Sequence, residues 1–181
     1  MRIPETDPDA LTPEQKEIYD RITAGPRGQV RGPYHAYLLH PGVCEGIERM
    51  GHFLRFAATL PGNIRELAII TVGRHWKAEF EWFAHAPIAI REGVSEDIVE
   101  GIKAGETPEF ADPDEAAVHG FVRALLETGR TDDETYADMK ARFGEDGIVE
   151  LTGIVGHYTG VAMTLNTFEI VPPEGERPDF T

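Results

Sequence analysis

The sequence predicts an all-α protein of about seven or eight helices, folded as a single domain over residues 1–181. Three observations point there. Apolar residues recur at helical spacing, as in Val43, Ile47, Met50, Leu54 and Ala57. Helix starts are marked by cap residues and helix ends by glycine and proline. No segment alternates apolar and polar residues with the period of two that a half-buried strand requires.

The elements follow in order. Residues 1–11 read as an irregular arm. Thr12 is an N-cap, with Pro13 at the first helical position and Gln15 completing a capping box. Ile18, Tyr19 and Ile22 supply an apolar stripe, and Gly25-Pro26 stops the helix. Gly28 to Pro33 is a loop, and Tyr34 to Leu39 a short apolar segment. A long helix is expected from Pro41 to about Leu60. Pro61-Gly62-Asn63 breaks it, with Asn63 placed to cap a helix running to His75. The next helix is expected to start near Lys77, to be kinked by Pro87 and to end at Gly93. Ser95 starts a short helix to Ala104. An amphipathic helix spans Asp114 to Thr128. Thr131 is expected to cap a helix to Phe143, with Glu134 in the capping-box position. Gly144 ends it, and a last helix runs from Gly147 to about Phe168. The tail, residues 171–181, is extended over the surface or a partner.

Composition excludes several functions. The 181 residues carry 17 Lys and Arg against 32 Asp and Glu, a net charge of −15. That balance disfavours nucleic acid and anionic membrane as partners. An anionic substrate would need a locally basic pocket. Cys44 is the only cysteine, so neither an internal disulfide nor a Cys-x-x-Cys couple can form. The stretch from Met1 to Ala10 does not read as a signal peptide, and no apolar run approaches the roughly 20 residues of a membrane span. A cytoplasmic location is expected.

Chemistry concentrates in one stretch. Glu81 and His85 are four residues apart, so on a helix they lie about 40° apart on one face. Ala78 falls seven residues before His85. Glu66 sits among Leu67, Ile69 and Ile70, where burial would raise its pKa. A carboxylate one turn from an imidazole can share a proton or a substrate with it. Arg65, Arg74 and Lys77 flank the stretch as candidates for binding a substrate carboxylate. His157 and Tyr158 on the glycine-rich last helix, and His35 in the Gly-Pro-Tyr-His loop, are further pocket candidates. Glu81 and His85 with His75 or His157 could supply metal ligands. No HExxH or comparable pattern is present, so no metal is expected.

With these residues in view, the chain resembles the carboxymuconolactone decarboxylase family and its AhpD-like helical fold over roughly Gly32 to Pro172. Redox-active members carry a Glu, then Cys-x-x-Cys, then a His four residues on. Here Glu66 takes the Glu place, Ala78 and Glu81 the two Cys places, and His85 the His place, with every spacing kept. Both sulfurs are absent, and a Glu four residues before the His looks more like the decarboxylase branch. The resemblance implies a cofactor-free lyase or isomerase acting by proton transfer on a small organic acid or lactone, with thiol peroxidase activity not expected. In it His85 is the base and Glu66 or Glu81 its partner. The alternative is a non-catalytic binding or assembly protein derived from alkylhydroperoxidase D-like peroxidases. The resemblance also implies a homo-oligomer with the pocket near a subunit interface. The last helix agrees, with Gly153, Gly156 and Gly160 among Val155, Val161, Ala162 and Met163, since a helix apolar on several faces needs cover.

Overall fold

The computed structural model describes residues 1–180. Among them are eight α-helices and no strand: α1 Pro13–Ala24, α2 Tyr34–Tyr37, α3 Pro41–Phe56, α4 Gly62–His75, α5 Glu79–Arg91, α6 Glu96–Ala104, α7 Pro113–Thr128 and α8 Asp133–Phe168. A 3₁₀ turn, Pro8–Ala10, precedes them.

Helix α4 is the hub. Leu67 to Gly73 are buried without interruption, so this helix is covered on every side. It packs against α5, α6, α7 and α8. The main core lies among α3, α4, α7 and α8 and includes Leu54, Ile64, Ile69, Phe121, Leu151, Ile154 and Leu165. A second cluster joins α4, α5 and α6 through Leu67, Ile70, Trp82, Ile98 and Ile102. A third ties α1 and α2 to α3 through Ile18, Ile22, Tyr37, Leu38 and Cys44.

Local signals explain most boundaries. Thr12 accepts from Gln15 N–H while the Gln15 side chain accepts from Thr12 N–H, the expected capping box. Ser95 accepts from Ile98 N–H at the start of α6. Gly105 and Gly129, with φ of 82° and 69°, follow α6 and α7 in the left-handed conformation that glycine adopts without penalty.

Four boundaries differ from the sequence reading. Helix α3 stops at Phe56, because the backbone of Thr59 and Leu60 turns to donate to the Glu150 carboxylate. Asn63 does not cap α4; Pro61 holds the cap position, and the Asn63 amide instead donates to Glu115 across the α4–α7 interface. Helix α5 begins at Glu79, with Ala78 as N-cap. Asp132, not Thr131, caps α8 by accepting from Thr135 N–H. The two final helices run nearly continuously, divided by a non-helical Gly144 with φ 69° and ψ 177°.

The arm and the tail are both tied down. Arg2 donates from its backbone to Phe168 and from its guanidinium to Thr167 and Glu169. Arg177 grips Glu79 with two bonds of 2.7 and 2.8 Å, and Phe180 meets Trp82 edge-on at 5.6 Å. Helix α8, at 36 residues, is long and apolar enough to cross a membrane by length and composition. In this fold it packs along α3, α4 and α7 as a core helix and buries Glu150.

Candidate active site

Helices α4 and α5 meet through a tight turn in which Lys77 takes a positive φ of 48°. That turn folds α5 back along α4 and brings Glu66 against His85. Glu66 Oε2 lies 2.6 Å from His85 Nδ1. One turn earlier on α5, Glu81 Oε1 lies 3.1 Å from His85 Nε2. The imidazole is thus held between two carboxyl groups, and all three residues are at most 4% exposed.

The two carboxyls are driven apart. Burial pushes Glu66 up, but the hydrogen bond and charge of His85, with Arg55 and Arg65 near, hold it below the ordinary carboxylate range. Burial pushes Glu81 up, over the opposing pull of His85, Arg55 and Arg27. The close Glu81–His85 approach lacks hydrogen-bond alignment, and Glu81 Oε1 has no partner. Glu66 is therefore the ionised acceptor that fixes the proton on Nδ1. That leaves Nε2 free beside a carboxyl that favours its protonated form.

His85 borders a cavity of about 180 Å³. Glu81, His85, His157 and Tyr158 form its polar end, and Arg27, Arg31 and Arg55 line it too. Tyr34, Tyr37, Phe56 and Phe80 contribute aromatic walls. The Tyr158 ring sits edge-on to His85 at 5.3 Å. Burial, then the charge of Arg27 and His85, hold His157 down at about 4, so it is neutral near pH 7. Burial raises the Tyr158 hydroxyl well above its ordinary value. Four buried side-chain polar atoms among the described residues lack a hydrogen-bond partner: Arg27 Nε, Tyr37 Oη, Arg65 Nε and Glu81 Oε1. Thr164 lies near the Tyr37 hydroxyl without satisfying it. Three of these four residues line the cavity. Buried polar groups are normally satisfied, so their concentration here marks a place for a polar ligand.

The residues singled out in the sequence separate into two groups. Glu81, His85, His157 and Tyr158 line the cavity, and Glu66 reaches it through His85. Arg65 stands 3.7 Å from Glu66 but does not line it. Ala78 is fully buried in the main core. Arg74 donates to the Lys103 carbonyl and stacks on Phe180, away from the cavity. Lys77 is exposed on the α4–α5 turn. His35 accepts from Thr6 N–H and so holds the N-terminal arm. Sequence reasoning missed Arg27, Arg31 and Arg55. The only hint of the first two was the spacing of arginines between the Gly-Pro pairs at 25–26 and 32–33.

Among the described residues, no group of three or more His, Cys, Asp and Glu side chains is arranged to hold a metal ion. No known family's sequence profile matches the chain, and no curated protein matches it in sequence. Solved structures do. One is titled the alkylhydroperoxidase AhpD core, an uncharacterised peroxidase-related protein from Ralstonia eutropha. It aligns with a TM-score of 0.79 at 12% identity, covering 97% of this chain and 93% of its own. An uncharacterised peroxidase-related protein from Silicibacter aligns with a TM-score of 0.76 at 13% identity, covering 100% and 95%. At such identities the likeness speaks for the fold, and the fold of this chain is AhpD-like.

Proposed function

We propose that the chain is a lyase or isomerase resembling carboxymuconolactone decarboxylase, acting by proton transfer on a small organic acid or lactone. The observation that carries this reading is the Glu66–His85–Glu81 arrangement. One carboxylate orients the imidazole, the other carboxyl favours its own protonated form, and the imidazole borders a small cavity. Pairs of titratable groups whose surroundings push them apart make natural acid–base partners. In this reading His85 Nε2 removes a proton from a carbon next to a carbonyl, and Glu81 gives its proton to the carbonyl oxygen. The resulting enol is neutral. Return of the His85 proton at a conjugated carbon, with the oxygen proton passing back to Glu81, completes an isomerisation. For a substrate that loses CO₂, the C–C electron pair passes into the carbonyl, whose oxygen takes the Glu81 proton.

Peroxide chemistry finds little support beside this. The structural neighbours are described as peroxidase-related, but this chain has no thiol in the stretch. Cys44 is fully buried, and burial with Glu48 nearby pushes its thiol up to about 12, against a weaker pull from Arg21. A thiol so placed is not a nucleophile at neutral pH.

The test is hydrogen exchange. Candidate lactones and oxo acids are incubated with the protein in D₂O, and deuterium uptake at carbon is followed by NMR. Exchange or turnover is expected, and it should fall by about 10² or more in His85→Gln. Ligand binding with no exchange across the panel would favour the non-catalytic binding protein instead.

A further inference from the structure

The chain carries an excess of acidic residues, yet none of the three arginines at this cavity, Arg27, Arg31 and Arg55, forms a close ion pair among the described residues; Glu66 and Glu81 act on Arg55, and Glu81 on Arg27, only from a distance. Among the described residues, no carboxylate comes within 4.0 Å of Arg27 or Arg55. Both are held by aromatic rings instead. The Arg27 guanidinium carbon lies 5.0 Å from the Tyr34 ring and 5.6 Å from the Phe56 ring. That of Arg55 lies 5.2 Å from the same Phe56 ring. Stacking on a ring fixes a guanidinium while leaving its N–H edge free to donate.

The seat of Arg27 is built into the backbone. Gly51 on α3 is buried, and a methyl group there would come within 3.0 Å of Arg27 Nη2 and 2.8 Å of His157 Nε2. An added side chain would shift His157 and crowd the Arg27 guanidinium. The Arg27 Nε in this seat is one of the unpartnered buried donors. Two like charges gathered at one ring, one of them with an unsatisfied buried donor, suit an anion between them.

Size narrows the class. A dry cavity of about 150 Å³ holds benzene, so one of about 180 Å³ takes one ring or a chain of similar bulk with a carboxylate.

We propose that Arg27 and Arg55 form a carboxylate clamp, and that the substrate is a single-ring or comparably short monocarboxylate whose reacting carbon lies toward His85. The clamp rests on the proton-transfer reading for its chemistry, but its binding does not depend on that reading.

The probe is benzoate, followed by titration calorimetry, with benzamide as the uncharged isostere and 2-naphthoate as the oversized one. Benzoate is expected to bind with heat, and benzamide and 2-naphthoate at least about tenfold more weakly. Arg27→Met and Arg55→Met should each weaken benzoate about tenfold or more and leave benzamide nearly unchanged. Arg27→Lys, which keeps the charge but loses the fork, should fall between. Circular dichroism checks that each variant is folded. Gly51→Ala supplies a variant that leaves both arginines in the chain and is expected to weaken benzoate by crowding Arg27 and shifting His157. Equal affinity for benzoate and benzamide overturns the clamp, as does undiminished benzoate binding in both Met variants. His85→Gln separates the two readings. Arg-dependent benzoate binding that persists in it, with no exchange in the native protein, keeps the clamp and discards the reaction. Exchange that is indifferent to Arg27 and Arg55 does the reverse.

Discussion

Replacing Glu81 by Gln tests whether this site stores the strain that the structure implies. Glu81 is 3% exposed, its Oε1 has no hydrogen-bond partner, and burial raises its pKa above the ordinary 4.5. The sign follows from linkage. Between its ordinary value and its raised folded value, Glu81 keeps a proton in the folded chain that the unfolded chain has released. Stability therefore declines as pH rises through that window, and the loss is complete above the folded value. Each tenfold change in the ionisation equilibrium is worth about 1.4 kcal/mol, so a carboxyl that burial pushes up costs stability of that order once pH exceeds its folded value. Gln keeps the shape and cannot ionise. Urea denaturation is expected to show Glu81→Gln more stable than the native protein by about 1–3 kcal/mol near pH 8. For a chain of this length each kcal/mol shifts Tm by roughly 2–4 °C. The difference should shrink toward zero near pH 4, where Glu81 is protonated in both states. Proton exchange on a turned-over substrate should fall by about 10² or more. A variant destabilised equally near pH 8 and near pH 4 would refute the reasoning and make Glu81 an ordinary structural partner of His85.

Three further outcomes are expected. Glu150→Ala should cost about 2–4 kcal/mol, because one carboxylate accepts from Thr59 N–H, the Thr59 hydroxyl and Leu60 N–H; hydrogen exchange at those two amides should quicken. His119 is held down at about 4, first by burial and then by Arg123. The unfolded chain thus binds a proton that the folded chain refuses, and stability falls with pH from about 6.5 to about 4; His119→Gln should flatten part of that acid limb. Sedimentation at micromolar concentration should give a mass above that of one 20.1 kDa chain, since Val43, Met50 and Phe53 on α3 and Val149 and Met163 on α8 are all more than 40% exposed. A monomer there would remove the oligomer from the account.

The sequence by itself determined the helical class, the order of elements and most of their ends. Those features are local: a capping box at Thr12 and Gln15, or glycines after α6 and α7, act within one turn. It also determined that Glu81 and His85 share a face, because helical spacing decides that before any packing occurs. It could not decide which residues stand opposite that face. The Glu66–His85 contact depends on the turn at Lys77 folding α5 back along α4. The end of α3 was illegible because it is set by Glu150, a residue far along the chain. Proximity along the chain suggested Arg65, Arg74 and Lys77 as the basic residues, but helical rotation turns Arg74 toward α6 and leaves Lys77 in solvent. The arginines at the cavity come instead from the loop after α1 and the last turn of α3. Only the packing of those segments over α5 and α8 brings their charges to His85, because a pocket is a meeting of side chains distant in sequence.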